Sequence, residues 1–108
     1  DTMKIGLCAK QEIKSSQVDD RFARAAFFVI YDSSTSEYIF LKNPFDVEHG
    51  AGPKVIEFFA EKGVTVLIAP TLGPNAQKAA QMAGMSTYEQ NQSSVEENIK
   101  AFLEKHKI

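Results

Sequence analysis

The residues best suited to chemistry in this chain are a pair of arginines, two glycine-proline steps, one cysteine and one loop histidine. Arg21 and Arg24 bracket Phe22 and Ala23, and a guanidinium presents a planar fork of N–H donors to an anion. Gly52-Pro53 stands ahead of Lys54 to Lys62, and Gly73-Pro74 ahead of Asn75 to Ala83. Proline fits a first helical turn because its missing N–H had no partner there, while the glycine before it lets the backbone turn tightly and approach a ligand. A helix start carries unpaired N–H groups and about half a positive charge, so two of them opening on one crevice would hold a compact anionic guest. Gly52 and Gly73 are the contacts this reading names. The plain alternative is that Gly-Pro only punctuates an αβ connection.

Cys8 sits near the end of a strand pattern, and a thiolate is a soft ligand for iron, copper or molybdenum-sulfide species. The alternative, and the commoner role of a lone cysteine, is a small buried hydrophobe. His49 precedes Gly50-Ala51-Gly52 in a loop that could reach the crevice, where its imidazole suits iron, copper or zinc; the alternative is an exposed loop histidine. For Arg21 and Arg24 the alternative is a solvated pair that stacks on Phe22 and pairs with Asp19 or Asp20. His106, in the Lys105-His106-Lys107 end, reads as a cation favouring a helix C-terminus.

The elements that must position these residues follow from periodicity. Met3 to Ala9 reads as a first strand, entering a polar loop from Lys10 to Asp20. Ala26 to Tyr31 is dense in aromatic and β-branched residues, as in a strand covered on both faces. The cluster Asp32 to Ser36 is a turn, and Tyr38 to Leu41 alternates again, so these strands form an antiparallel hairpin. From Lys54 the pattern becomes helix, strand, helix, strand, helix. Val55, Ile56, Phe59 and Ala60 share one helical face that ends near Gly63, and Val64 to Ala69 is a buried strand. Ala76, Ala79, Ala80 and Ala83 give the next helix a narrow face, closed by Gly84. Met85 to Tyr88 is a short strand, and Glu89 to Ser94 a surface connection. Ser93 or Ser94 opens the last helix with a capping box to Glu96 or Glu97, and Val95, Ile99, Phe102 and Leu103 form its buried stripe. The expected fold is α/β, a mixed five-stranded sheet flanked by helices.

The 108 residues, 44% of them hydrophobic, suit one domain over positions 3–108. A formal charge of -2 gives no reason to expect a nucleic-acid or lipid partner. No apolar run approaches the ~20 residues of a membrane helix, and no signal-peptide pattern stands at the N-terminus, so a cytoplasmic location is expected. Asp1-Thr2 before Met3 reads as an expression remnant. One cysteine makes neither an internal disulfide nor a Cys-rich structural metal site.

The order of motifs is specific. Val18-Asp19-Asp20-Arg21-Phe22-Ala23-Arg24-Ala25 stands before a strand ending in Tyr31-Asp32; then come Asn43-Pro44-Phe45, Gly50-Ala51-Gly52 and Leu72-Gly73-Pro74-Asn75-Ala76. This combination, from about Met3 to Leu103, resembles the dinitrogenase iron-molybdenum cofactor biosynthesis family, and Val95-Glu96-Glu97 looks like its C-terminal segment. The resemblance implies a ribonuclease-H-like fold and a non-catalytic role in binding or carrying iron-sulfur or molybdenum-containing clusters, with other cofactor-assembly proteins as partners. It implies nitrogen fixation as the setting, no enzyme activity, and one site whose walls are Gly50 to Pro53, Gly73 to Asn75 and Arg21 to Ala25, with Arg21, Phe22, Arg24, Gly50, Gly52, Gly73 and Asn75 as its contacts. Members often carry histidine, phenylalanine, glycine, arginine, alanine where this chain has Arg21 to Ala25. Arg21 in place of the histidine suits a cluster held by charge rather than by coordination. An interaction or regulatory module of the same fold, with no bound cluster, is the competing reading.

A ribonuclease-H-like fold can also host two-metal nuclease chemistry, which needs clustered carboxylates. The first strand, Met3 to Ala9, has none; Asp19 and Asp20 lie in a loop and Asp32 begins a turn. Hydrolase spacings of Ser, His and Asp are absent, and the glycine turns match neither a Walker nor a dinucleotide motif.

Overall fold

Alternation of side chains organises the first half of the chain. In the computed structural model, which describes residues 3–45 and 51–106, three strands come first: β1 (Lys4–Ala9), β2 (Phe27–Asp32) and β3 (Glu37–Lys42). The β2–β3 hairpin is closed by Asp32, whose carboxylate accepts from the Ser34 N–H at 2.9 Å and the Ser34 hydroxyl at 2.7 Å. The second half alternates α1 (Ala51–Glu61), β4 (Val66–Ala69), α2 (Pro74–Met82), β5 (Ser86–Glu89) and α3 (Val95–His106).

The strands form one sheet in the order β3-β2-β1-β4-β5. β1 is antiparallel to β2 and β2 to β3, whereas β4 runs parallel to β1 and β5 parallel to β4. A long connection joins β1 to β2 and a tight turn β2 to β3, while α1 and α2 lead into β4 and β5, so the mixed α/β sheet follows from the order of elements. One face packs Cys8, Phe28 and Leu67 against Val55, Phe59 and Ala76 of α1 and α2. The other packs Ile5, Leu7 and Val29 against Val95, Ile99 and Phe102 of α3. Gly6 admits α1 to the sheet: a Cβ there would stand 2.9 Å from Phe59 Cδ1.

Several local expectations change. α1 includes Gly52 and Pro53 in its first turn rather than starting at Lys54. Val64 and Met85 are buried but precede their strands, each donating its N–H to a helix carbonyl, Phe59 and Ala80 respectively. Ala83 is the exposed C-cap of α2 rather than part of its packed face. The capping box belongs to Ser94, whose Oγ accepts from the Glu97 N–H at 3.0 Å.

The connection from Glu89 to Ser94 is not a simple surface loop. Gln90 is buried, and its N–H donates to the Ala69 carbonyl at 2.8 Å. Asn98, also buried, accepts from the Asn91 N–H and donates to the Ser94 carbonyl. The Lys10 to Asp20 loop is tied to the same place, because the carbonyls of Ser16 and Lys14 accept from the N–H groups of Val95 and Glu96. Polar side chains that look solvated in sequence here satisfy buried backbone.

Candidate functional site

The first wall of the site is built on a buried carboxylate. Val18 bridges back to Ala9, and the Asp19 N–H donates to the Cys8 carbonyl at 2.9 Å, which turns the Asp19 side chain inward until it is fully buried. There its Oδ1 accepts from the Arg21 N–H and Nε, both at 3.0 Å, and its Oδ2 from Arg21 Nη2 at 2.8 Å and the Ala26 N–H at 3.2 Å. Burial alone would raise the Asp19 pKa, but these hydrogen bonds and the Arg21 charge outweigh it and hold the carboxyl below its ordinary 3.8. The side chain of Arg21 remains 58% exposed, so the rest of its donor fork faces outward.

Phe22 follows in a left-handed conformation, φ 49°, which is strained for an aromatic side chain. It is buried, and a short 3-10 turn runs from it to Arg24. Its carbonyl accepts from the Ala25 N–H, and Asn43 Nδ2 donates to the carbonyls of Ala23 and Ala25 at 2.9 and 2.8 Å. The loop is thus fastened at both ends.

The other walls are the two helix starts. Gly52 packs on α2, with the position of a Cβ only 3.1 Å from Ala76 Cβ, so the two N-termini lie side by side. Gly73 is the N-cap of α2, with Pro74 in the first turn and no side-chain cap on its N–H groups. The φ of Gly73 is −69°, which any residue adopts, and a Cβ there would meet nothing within 4 Å. Its value is an uncovered peptide, not a left-handed turn. A cleft of about 360 Å³ lies between these walls, bounded by Arg21, Phe22, Gly52, Gly73 and Asn75, with Asp20 and Leu72 on its rim.

Five of the residues expected to bind a cofactor therefore share one cleft, whereas Arg24 and Cys8 do not line it. Arg24 lines a separate concavity with Lys42 and Asn43, because the left-handed Phe22 turns the chain between the two arginines. Cys8 has no exposed surface, does not line the cleft, and its Sγ lies 3.8 Å from the Phe22 carbonyl as a donor. Burial, with the Asp19 charge behind it, pushes the thiol far above its ordinary value, so the expected thiolate ligand is instead a protonated core residue. His49 and Gly50 lie outside the described residues. His106 stands in the last turn of α3, as its place in the sequence suggests, with its ring against Phe102 and Tyr88 at centroid distances of 4.2 and 5.0 Å. Among the described residues no group of three or more His, Cys, Asp or Glu could hold a metal ion.

Pro70 and Thr71 line the cleft without having been expected there, and Asp19, expected only as one of two partners for an arginine, is the buried anchor of the first wall. Asp19 had a usable signal: a carboxylate two residues before an N–H it can accept from is an Asx-type turn.

A mixed five-stranded sheet with loops gathered at the carboxyl ends of β1 and β4 is the architecture of a small α/β domain. The chain belongs to the dinitrogenase iron-molybdenum cofactor family, whose profile matches residues 3–105. The family supports an accessory role in iron-molybdenum cofactor biosynthesis. The chain is 30% identical over 109 residues to an uncharacterized protein of Methanocaldococcus jannaschii, covering 94% of this chain and 86% of that one. Among solved structures it resembles the apo form of the orange protein from Desulfovibrio gigas, with a TM-score of 0.89 and 30% identity over 95% of this chain and 88% of that one. A Thermotoga protein described as a candidate NifB protein is 37% identical with a TM-score of 0.82, over 94% of this chain and 88% of that one.

Proposed function

We propose that this protein binds and carries an anionic metal-sulfur cluster in the cleft between Arg21, Gly52 and the start of α2, without catalysing a reaction on it. The observation that carries the reading is the meeting of an arginine fork, fixed by a buried carboxylate, with a helix N-terminus that has no side-chain cap. Peptide N–H groups and guanidinium suit sulfide and thiometallate anions through charge and hydrogen bonding. The Arg21 fork and the uncapped start of α2 supply donors, a set that recognises an anion by charge and hydrogen bonding. Phe22, Pro53, Leu72 and Pro74 supply apolar surface beside those donors, a match for weakly hydrated sulfide faces.

Anaerobic reconstitution with thiomolybdate, or with ferrous iron and sulfide, tests this. The expected result is a charge-transfer spectrum that weakens in Arg21→Ala and survives in Cys8→Ser. A spectrum lost in Cys8→Ser and retained in Arg21→Ala moves the cluster out of the cleft. Protein purified anaerobically from its native host that proves metal-free and spectrally silent favours an interaction module instead.

A further inference from the structure

The outer side of β3 has no neighbouring strand among the described residues. On its inner side β3 pairs with β2 along its whole length, from Glu37 opposite Asp32 to Lys42 opposite Phe27. One step further on, the Asn43 N–H donates to the Ala26 carbonyl. Hydrogen-bonded and non-bonded pairs alternate in an antiparallel ladder, so Glu37, Ile39 and Leu41 bond inward to β2. The backbone groups of Tyr38, Phe40 and Lys42 therefore point outward.

Edge strands of this length are normally blunted by proline, a bulge or a charge in mid-strand. β3 has none of these. Its register is unbroken, its charges stand only at its two ends, and between them run Tyr38, Ile39, Phe40 and Leu41, with Ile39 51% exposed. The other edge, β5, is only four residues long and ends on Glu89.

We propose that β3 pairs with β3 of a second copy of this chain, antiparallel about a two-fold axis at Phe40. A two-fold axis normal to the sheet keeps equivalent faces on the same side, so only residues of like parity can oppose one another. With Phe40 on the axis, the outward-pointing backbone groups of Tyr38, Phe40 and Lys42 meet those of Lys42, Phe40 and Tyr38 in the second copy. Side chains then match as well: ring on ring at Phe40, the Lys42 cation on the Tyr38 ring, and Ile39 against Leu41. Moving the axis to Ile39 would set Glu37 against Leu41 and Lys42 against Ser36. Of these two registers, the one centred on Phe40 is the self-complementary one.

Sedimentation equilibrium over a concentration series should show a monomer–dimer equilibrium for the wild type and a monomer for Ile39→Lys with an unchanged far-ultraviolet spectrum. The register is read by disulfide trapping, because non-bonded opposed residues bring their Cα atoms to about 4.5 Å, within reach of a disulfide. Ile39→Cys combined with Leu41→Cys should yield a covalent dimer under mild oxidation, and Ile39→Cys alone should not. A wild type that stays monomeric, an Ile39→Lys variant that stays dimeric, or equal trapping by the single variant would overturn the proposal.

Discussion

Asp19 decides more than any other single residue because one buried carboxylate satisfies four donors and aims a cation outward. In Asp19→Asn an amide NH₂ must face one of those donors, leaving groups unpaired inside the protein. The expected loss of stability is about 2–3 kcal/mol, read as a shift of the urea midpoint at neutral pH. The pH dependence has a definite sign. The folded pKa of Asp19 lies below its ordinary 3.8, so its contribution is complete above that value and is lost as pH falls through the lower folded value. The stability gap between wild type and Asp19→Asn should therefore shrink below about pH 4; a gap that stays constant would mean the carboxylate charge is not what holds the loop. Sequence alone left Asp19 as one of two partners for arginine. Its burial depends on a bridge between Val18 and Ala9, a tertiary contact with no local signature.

At the scale of elements, the spacing of α1 from α2 sets the mouth of the cleft. Gly52→Ala sets two effects against each other: a Cβ 3.1 Å from Ala76 Cβ must push the helices apart, while alanine gains up to about 1 kcal/mol over glycine in a helix. Stability should change by less than about 1 kcal/mol, yet affinity for thiomolybdate should fall roughly tenfold, a loss of about 1.4 kcal/mol, because donors on both helix starts shift together. Unchanged affinity would show that this spacing does not shape the site. Helix and strand identities were legible in the sequence because periodicities of two and 3.6 are imposed by one-sided burial. The stripe Val55, Ile56 and Phe59 is buried as its spacing requires, and so are Val95, Ile99 and Phe102. The polar connections were not legible. Gln90 and Asn98 are buried because they serve the backbone of neighbouring segments, and their residue types carry no mark of that duty. Convergence of the three motif segments was legible for a topological reason, since loops after parallel strands gather at the carboxyl edge of the sheet. The divergence of Arg24 was hidden by Phe22, an aromatic residue in a conformation that sequence reasoning assigns to glycine or asparagine.

For the molecule as a whole, the cleft joins chain segments far apart in sequence across a sheet whose two faces are both packed. A guest held there would touch the β1–β2 connection, the start of α1 and the β4–α2 loop at once, so its binding energy adds to the stability of the folded state. At a free concentration of about 100 times the dissociation constant, linkage adds about 2.7 kcal/mol. For a domain of this size that corresponds to a rise of roughly 10 °C in the unfolding midpoint. The effect should be local in its origin. Amide exchange should slow in residues 19–25 and 71–76, while the central strands β1 and β4, already fully buried at Leu7 and Leu67, should slow only with global unfolding. On the proposed role of Arg21's outward donors, Arg21→Ala should show a smaller rise at the same thiomolybdate concentration. An equal rise in wild type and Arg21→Ala, with protection appearing elsewhere, would place the anion outside the cleft, since a ligand bound to the folded state can stabilise only through the contacts it makes there.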